Sequence, residues 1–134
     1  MVVVDSSVWI DYLRDLSTPQ TIFLDDLLAT ARVITADLVA AEVLQGVSTE
    51  KAAALTLDRL RLGAPLAVGG MEIALEAARN YRRLRTLGLT PRKTIDTLIA
   101  TRCIADSLPL LFSDRDFQPF VDHLGLRDAM APAL

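Results

Sequence analysis

Five carboxylates could do chemistry in this chain, and their surroundings mark them out. Asp5 ends the apolar run MVVV and is followed at once by Ser6 and Ser7. Asp114 ends a second apolar run, in LLFSDRDF, and Asp116 follows two positions later. Glu42 interrupts the small apolar stretch LVAAEVL, and Asp96 has Ile95, Leu98 and Ile99 around it. Each also has an ordinary reading. A strand-end aspartate serves as a turn or cap, a helical glutamate faces water, and Asp96 suits the positive end of a helix. SDRDF is common turn chemistry. What matters is whether the fold gathers them.

Carboxylates gathered in one place raise one another's pKa unless a cation sits among them. All-oxygen ligands select hard divalent ions, so Mg²⁺ is the expected cofactor, with Mn²⁺ as a substitute. Zinc would want histidine or cysteine. The only histidine, His123, stands near the tail, and the only cysteine, Cys103, lies in an apolar stretch. Such an ion activates water and neutralises charge developing on a phosphodiester, with no protein nucleophile. Ser6 and Ser7 have no histidine to activate them. They suit a supporting role, holding a carboxylate or water, or else capping the next helix.

The elements that must position these groups can be read from pattern. Residues 1–4 and 108–112 read as buried parallel strands, with two further ones at 32–35 and 64–68. Helical spacing covers a short stretch from about Ser7, then 18–31, 36–46, 48–63, 70–87 and 90–107. For the second, Thr18-Pro19 is a helix start, and Ile22, Leu24, Leu27 and Leu28 are its expected inward face. Ser48 precedes the fourth; Thr90 and Thr94 both compete to cap the sixth. The tail holds a short helix and an expected edge strand near Leu126. Strands alternating with helices predict an α/β fold, a three-layer α/β/α domain over 1–134 with a central, mostly parallel sheet. Acids at its strand ends would then meet at the sheet's C-terminal rim, where such folds bind ligands.

Composition narrows the class. The 134 residues are 51% hydrophobic with a net charge of −3, which fits one folded domain and argues against nonspecific polyanion binding. Charge is uneven, however. Between Glu76 and Asp96 stand six basic residues and no acidic one. Of these, Arg92 and Lys93 lie nearest Asp96 in sequence, and with Arg115 they are the candidates to contact the phosphates of a polyanion. One cysteine, no signal peptide and no membrane-length apolar run point to the cytosol.

The ordered set VVVDSSVWI, Glu42 within ITADLVAAEVLQG, Asp96 within TIDTLIATRCIADS, and LLFSDRDF resembles the PIN-domain nucleases, and within them the VapC-type toxins of bacterial toxin–antitoxin pairs. The resemblance runs from Val2 to about Phe120. It implies a magnesium-dependent endoribonuclease cutting a single-stranded loop of structured RNA, such as transfer or ribosomal RNA. It places the family's four acids on Asp5, Glu42, Asp96 and Asp114, an additional acid on Asp116, and the small hydroxyl residue on Ser6. Catalysis would then rest on those four, and metal binding on Asp5, Asp96, Asp114 and Asp116. A homodimer and a small cognate antitoxin are implied partners. Trp9, Tyr12, Leu13, Ile22 and Phe23 offer large side chains for an antitoxin groove, a dimer contact or plain core packing. Two other readings stay open: a metal-dependent phosphotransferase or phosphatase, though Ser7 stands where its second acid belongs, and a non-catalytic RNA-binding module of the same fold. A dinucleotide site is excluded by the absence of a glycine-rich loop after the first strand.

Overall fold

A computed structural model describes residues 1–132, leaving the last two positions of the expected domain outside it. Four parallel strands form the sheet: β1 (Val2–Val4), β2 (Val33–Ala36), β3 (Ala64–Leu66) and β4 (Leu110–Leu111). Their order is β3-β2-β1-β4. Val2 and Val3 of β1 register with Val33 and Ile34 of β2, while Val3 and Val4 register with Leu110 and Leu111 of β4. All three β1 valines are buried, as a central strand covered on both faces requires.

Topology follows from chirality. The steps β1 to β2 and β2 to β3 go the same way across the sheet. Right-handed crossovers therefore put α1 (Ser6–Leu13), α2 (Pro19–Ala29), α3 (Asp37–Gln45) and α4 (Glu50–Leu60) on one face. The return from β3 past β1 to β4 puts α5 (Met71–Thr86) and α6 (Thr94–Ala105) on the other. Packing agrees: α1 meets α2 and α3, α3 meets α4, and α5 meets α6 and α7 (Gln118–Leu124). This is the three-layer α/β/α fold with a parallel sheet. The chain leaves β1 in one direction and comes back on its other side, so the sheet switches direction at β1. In such sheets a crevice opens outside the strand ends at that point.

Local chemistry explains most element ends. Thr18 and Thr21 cap α2 reciprocally: the Thr21 N–H donates to Thr18 Oγ1 at 3.0 Å and the Thr18 N–H to Thr21 Oγ1 at 2.8 Å, with Pro19 at the first helical position. Other ends differ from the sequence pattern. The cap of α4 is Thr49, not Ser48; its side chain accepts from the Ala52 N–H. Neither Thr90 nor Thr94 caps α6, whose cap position is Lys93 and carries no side-chain bond. Ile22 is 63% exposed, because the inward face of α2 is Thr21, Leu24 and Leu27. The expected edge strand near Leu126 is a single parallel bridge between Leu110 and Asp128.

One close approach locks β2 to the end of α4. The Thr35 hydroxyl donates to the Leu60 carbonyl at 2.7 Å. Gly63 packs directly above it, so that a Cβ there would run into Thr35 Oγ1 and come within 3.0 Å of Val33 Cγ1. Gly63→Ala should therefore force β2 and α4 apart, costing about 1–3 kcal/mol of stability. Thermal melts check this. An unchanged melting temperature would mean that the 60–63 turn yields without strain.

Candidate metal centre

The switch point at β1 is where the acids gather. Asp5 follows β1 directly and caps α1, its backbone N–H donating to the Leu111 carbonyl of β4 at 2.9 Å. Its Oδ2 accepts from both the backbone N–H of Ser7 (3.1 Å) and the Ser7 hydroxyl (2.6 Å). Oδ1 is buried and has no partner. Asp96 arrives from the opposite face of the sheet, in the first turn of α6, and is 4% exposed. Its Oδ2 is likewise buried without a partner. Glu42 comes from α3 and is half-buried, with Oε1 accepting from the Ser6 hydroxyl at 3.3 Å. Consecutive serines thus hold two different carboxylates.

The geometry makes two trios that share one member. Asp5, Glu42 and Asp96 each bring one oxygen within 4.8 Å of the others. Asp96, Asp114 and Asp116 do the same. The first trio includes Glu42, which sequence reasoning put among the catalytic groups but outside the metal ligands. Asp114 caps the single 3₁₀ turn Arg115–Phe117 after β4, its Oδ1 accepting from the Asp116 N–H at 2.9 Å.

The electrostatics are those of crowded acids. Burial pushes the Asp96 carboxyl up to about 7, with the Asp5 carboxylate adding to the rise and Lys93 opposing it. Asp5 is raised by burial despite the Ser7 hydrogen bonds that favour its charged form. Glu42 is raised by burial and then by Asp5, again against Lys93. Orphaned buried carboxylate oxygens facing like charge are what a divalent cation satisfies, and an all-oxygen set fits Mg²⁺ or Mn²⁺. The other candidate ligands stand apart. Cys103 is buried in α6 with its thiol pushed up to about 12 by burial, and His123 is exposed in the last turn of α7.

Of the basic residues, Lys93 sits at the mouth of the acid cluster, close enough to lower the pKa of both Glu42 and Asp96. Arg92 and Arg115 line a separate small cleft beside Asp116. Two supports were not visible in the sequence. The Ser113 N–H donates to Ser7 Oγ at 3.2 Å, tying the segment after β4 to α1, and a backbone group leaves no signature in residue type. Asn80 of α5 donates to Thr101 of α6 at 3.1 Å in a buried pair, where the one hint was an asparagine inside a helical pattern. Trp9, offered for a groove, a dimer contact or core packing, takes the last and is wholly buried.

These shifts fix a pH dependence. A carboxyl whose folded-state pKa is raised binds its proton more tightly in the folded chain, so its contribution to stability falls as pH rises from 3.8 to about 7 and is flat beyond. The metal-free wild type should lose more melting temperature across that window than Asp96→Asn does. Added Mn²⁺ or Mg²⁺ should stabilise the wild type more at pH 8 than at pH 5, since the ion binds the ionised form. Melts in chelator and in metal across pH 4–8 check both. Parallel curves for wild type and Asp96→Asn would contradict the buried charge.

Comparison with known proteins agrees with this geometry. The PIN-domain family model matches residues 2–120. The chain is 31% identical over 120 residues to VapC ribonuclease Mb1587 of Mycobacterium bovis and to ribonuclease VapC11 of Mycobacterium tuberculosis, covering 87% of this chain and 89% of each relative. Among solved structures it superposes on VapBC2 from Rickettsia felis, solved bound to a DNA fragment from its promoter, with a TM-score of 0.72 at 17% identity over 95% of this chain and 96% of that one. FitAcB from Neisseria gonorrhoeae gives 0.63 at 22% identity over 90% and 91%. At such identities the superpositions speak to the fold alone; the family rests on the sequence matches. The chain belongs to the PIN-domain family and is homologous to the VapC-type ribonucleases of toxin–antitoxin systems.

Proposed function

We propose that this protein is a divalent-metal-dependent endoribonuclease toxin that hydrolyses phosphodiester bonds in a single-stranded loop of structured RNA and is held in check by a cognate antitoxin. The observation that carries the reading is the pair of orphaned, buried oxygens, Asp5 Oδ1 and Asp96 Oδ2, in one cluster with Glu42. Bound Mg²⁺ or Mn²⁺ would supply Lewis-acid polarisation of the phosphodiester and a water of lowered pKa. Asp96, common to both trios, would hold the ion, with Asp5 on one side and Asp114 and Asp116 on the other. Ser7 fixes the Asp5 rotamer by occupying Oδ2, which leaves Oδ1 for the ion. Ser6 does the same for Glu42, leaving Oε2 to take the proton of the attacking water. The long, flexible Lys93 side chain neutralises the cluster while it is empty and swings to an RNA phosphate when substrate enters.

The antitoxin reading draws on a different surface. Between α1 and α4 lies a groove of about 690 Å³ lined by Tyr12, Leu13 and Leu55, with Asp15, Asp58 and Arg59 as its charged residues and the acids in excess. Leu55 is 60% exposed there, and Ile22 and Leu16 continue the apolar surface alongside. An amphipathic segment with basic flanks fits it. A cationic side chain from that segment, reaching the acids, would compete with metal by relieving the same repulsion. A homodimer is part of this reading by family likeness.

Purified protein incubated with structured cellular RNA should cut at one or a few sites in Mg²⁺ or Mn²⁺ and not in chelator. Asp5→Asn should abolish cleavage while the protein stays folded, and should raise metal-free stability by relieving the repulsion among the acids. Ser7→Ala should weaken metal binding roughly 10–100-fold, as loss of an outer partner does, with cleavage recovered at high metal concentration. RNA bound but never cut, with metal present, would favour the binding module; phosphate released from a small ester with RNA left intact would favour the phosphotransferase.

Replacing Arg92 and Lys93 together by alanine should weaken RNA binding and flatten its salt dependence by about two ion equivalents. Titrations over a salt series read this directly. An unchanged slope would remove both residues from the RNA-binding surface.

A further inference from the structure

Beside the acid cluster, a second cleft has a lining that metal chemistry does not use. It holds about 190 Å³ between the loop before α6 and the turn after β4, with walls from Leu89, Pro91, Arg92, Arg115, Asp116 and Pro119. Three of these are apolar, and Leu89, Pro91 and Pro119 are each half-buried. Arg92 and Arg115 are exposed, and neither guanidinium is taken up in an ion pair among the described residues. Asp116 belongs to both places. One of its oxygens lies within 4.8 Å of ligand oxygens of Asp96 and Asp114, and its side chain also lines the cleft.

The mixture selects among the parts of an RNA chain. A phosphate would be repelled by Asp116 and gains nothing from prolines and leucine. A sugar gains little from two free guanidinium planes. A nucleobase uses all of it: apolar walls against its faces, a guanidinium stacked over the ring, and a carboxylate at its edge. A carboxylate offers only acceptors, so it favours a base that presents N–H donors. Adenine and cytosine each present one amino group. Guanine alone presents two adjacent N–H donors, N1–H and the 2-amino group, both within reach of the one carboxylate oxygen that Asp116 does not give to the acid cluster. Uracil's one edge donor, N3–H, stands between two carbonyl oxygens that the acid repels.

We propose that the cleft lined by Arg92, Arg115 and Asp116 is a base-recognition subsite that takes a guanine of single-stranded RNA beside the cleaved linkage. This rests on the ribonuclease reading above and adds to it a sequence preference. With Asp116 shared between the cleft and the acid cluster, the recognised base sits next to the reacting phosphodiester. The same carboxylate therefore couples base choice to cleavage position.

The test uses the full chain with Ca²⁺ in place of Mg²⁺ and three labelled oligoribonucleotides. Each is a short uridine run with guanosine, inosine or uridine at its centre. The guanosine oligomer should bind at least about fivefold more tightly than the uridine one, with inosine between them because it lacks the 2-amino group. Asp116→Asn, compared as a ratio within the variant so that general loss of affinity cancels, should bring guanosine and uridine close to parity. Pro91→Trp, which fills the cleft from its wall without replacing an acid, should do the same while the uridine oligomer binds as before. Equal binding of the three oligomers to the wild type overturns the subsite and leaves the ribonuclease reading standing. A guanosine preference unchanged in both variants also overturns it, by placing recognition elsewhere. Binding of none of them, together with no cleavage of cellular RNA in Mg²⁺, overturns the ribonuclease reading itself.

Discussion

Oxygens of Asp5, Glu42 and Asp96 lie within 4.8 Å of one another where Asp5 and Asp96 are almost dry. Left to themselves, such groups repel and hold on to protons, as the rise of Asp96 to about 7 records. The surrounding structure reads as a set of answers to that repulsion. Two helix N-termini, those of α1 and α6, point their positive ends at Asp5 and Asp96. Ser7 gives Asp5 two donors and Ser6 gives Glu42 one. Lys93 adds a movable positive charge. None of these supplies the doubly charged centre that the two orphaned oxygens still lack.

The repulsion also explains why the site needs this topology. Carboxylates on one helix or one hairpin would drift apart with small, inexpensive adjustments. Here they come from β1, from α3 on one face, from α6 on the other, and from the turn after β4. Each is anchored in a different part of one apolar core that includes Val3, Val39, Ile99 and Leu111. Relaxing the charges would mean parting packed layers. The strain is therefore borne by tertiary packing, and the buried Asn80–Thr101 pair between α5 and α6 is part of what fixes the helix bearing Asp96.

Much of this was legible in the sequence because it depends on local pattern. Parallel strands betray themselves as short, wholly apolar runs, and VVV before Asp5 and LL before Asp114 end where the pattern says they should. The helix starting at Thr18-Pro19 carries its own cap. What escaped depends on orientation. Ile22 fits the apolar spacing of its helix yet faces out, since α2 has only α1 and β2 as main neighbours and does not need a wide apolar stripe. The division of five acids into two trios sharing Asp96 is set by how α6 crosses the sheet, which no spacing encodes. Thr49 in place of Ser48 as a cap is a one-residue choice between equivalent hydroxyls.

The Ser7–Ser113 hydrogen bond joins residues 106 positions apart, and β1 pairs with β4 across nearly the same span. A ribosome delivers β1, β2 and β3 with all their helices well before it delivers Leu110. The emerging chain can thus bury most of its core while one side of β1 still waits for its neighbour. During that interval Asp5 has no Leu111 carbonyl to receive its N–H, Ser7 has no Ser113 to hold it, and Asp114 does not yet exist. Assembly of the acid cluster waits for β4 and the turn after it. A chain built this way buries most of its core before its metal site exists.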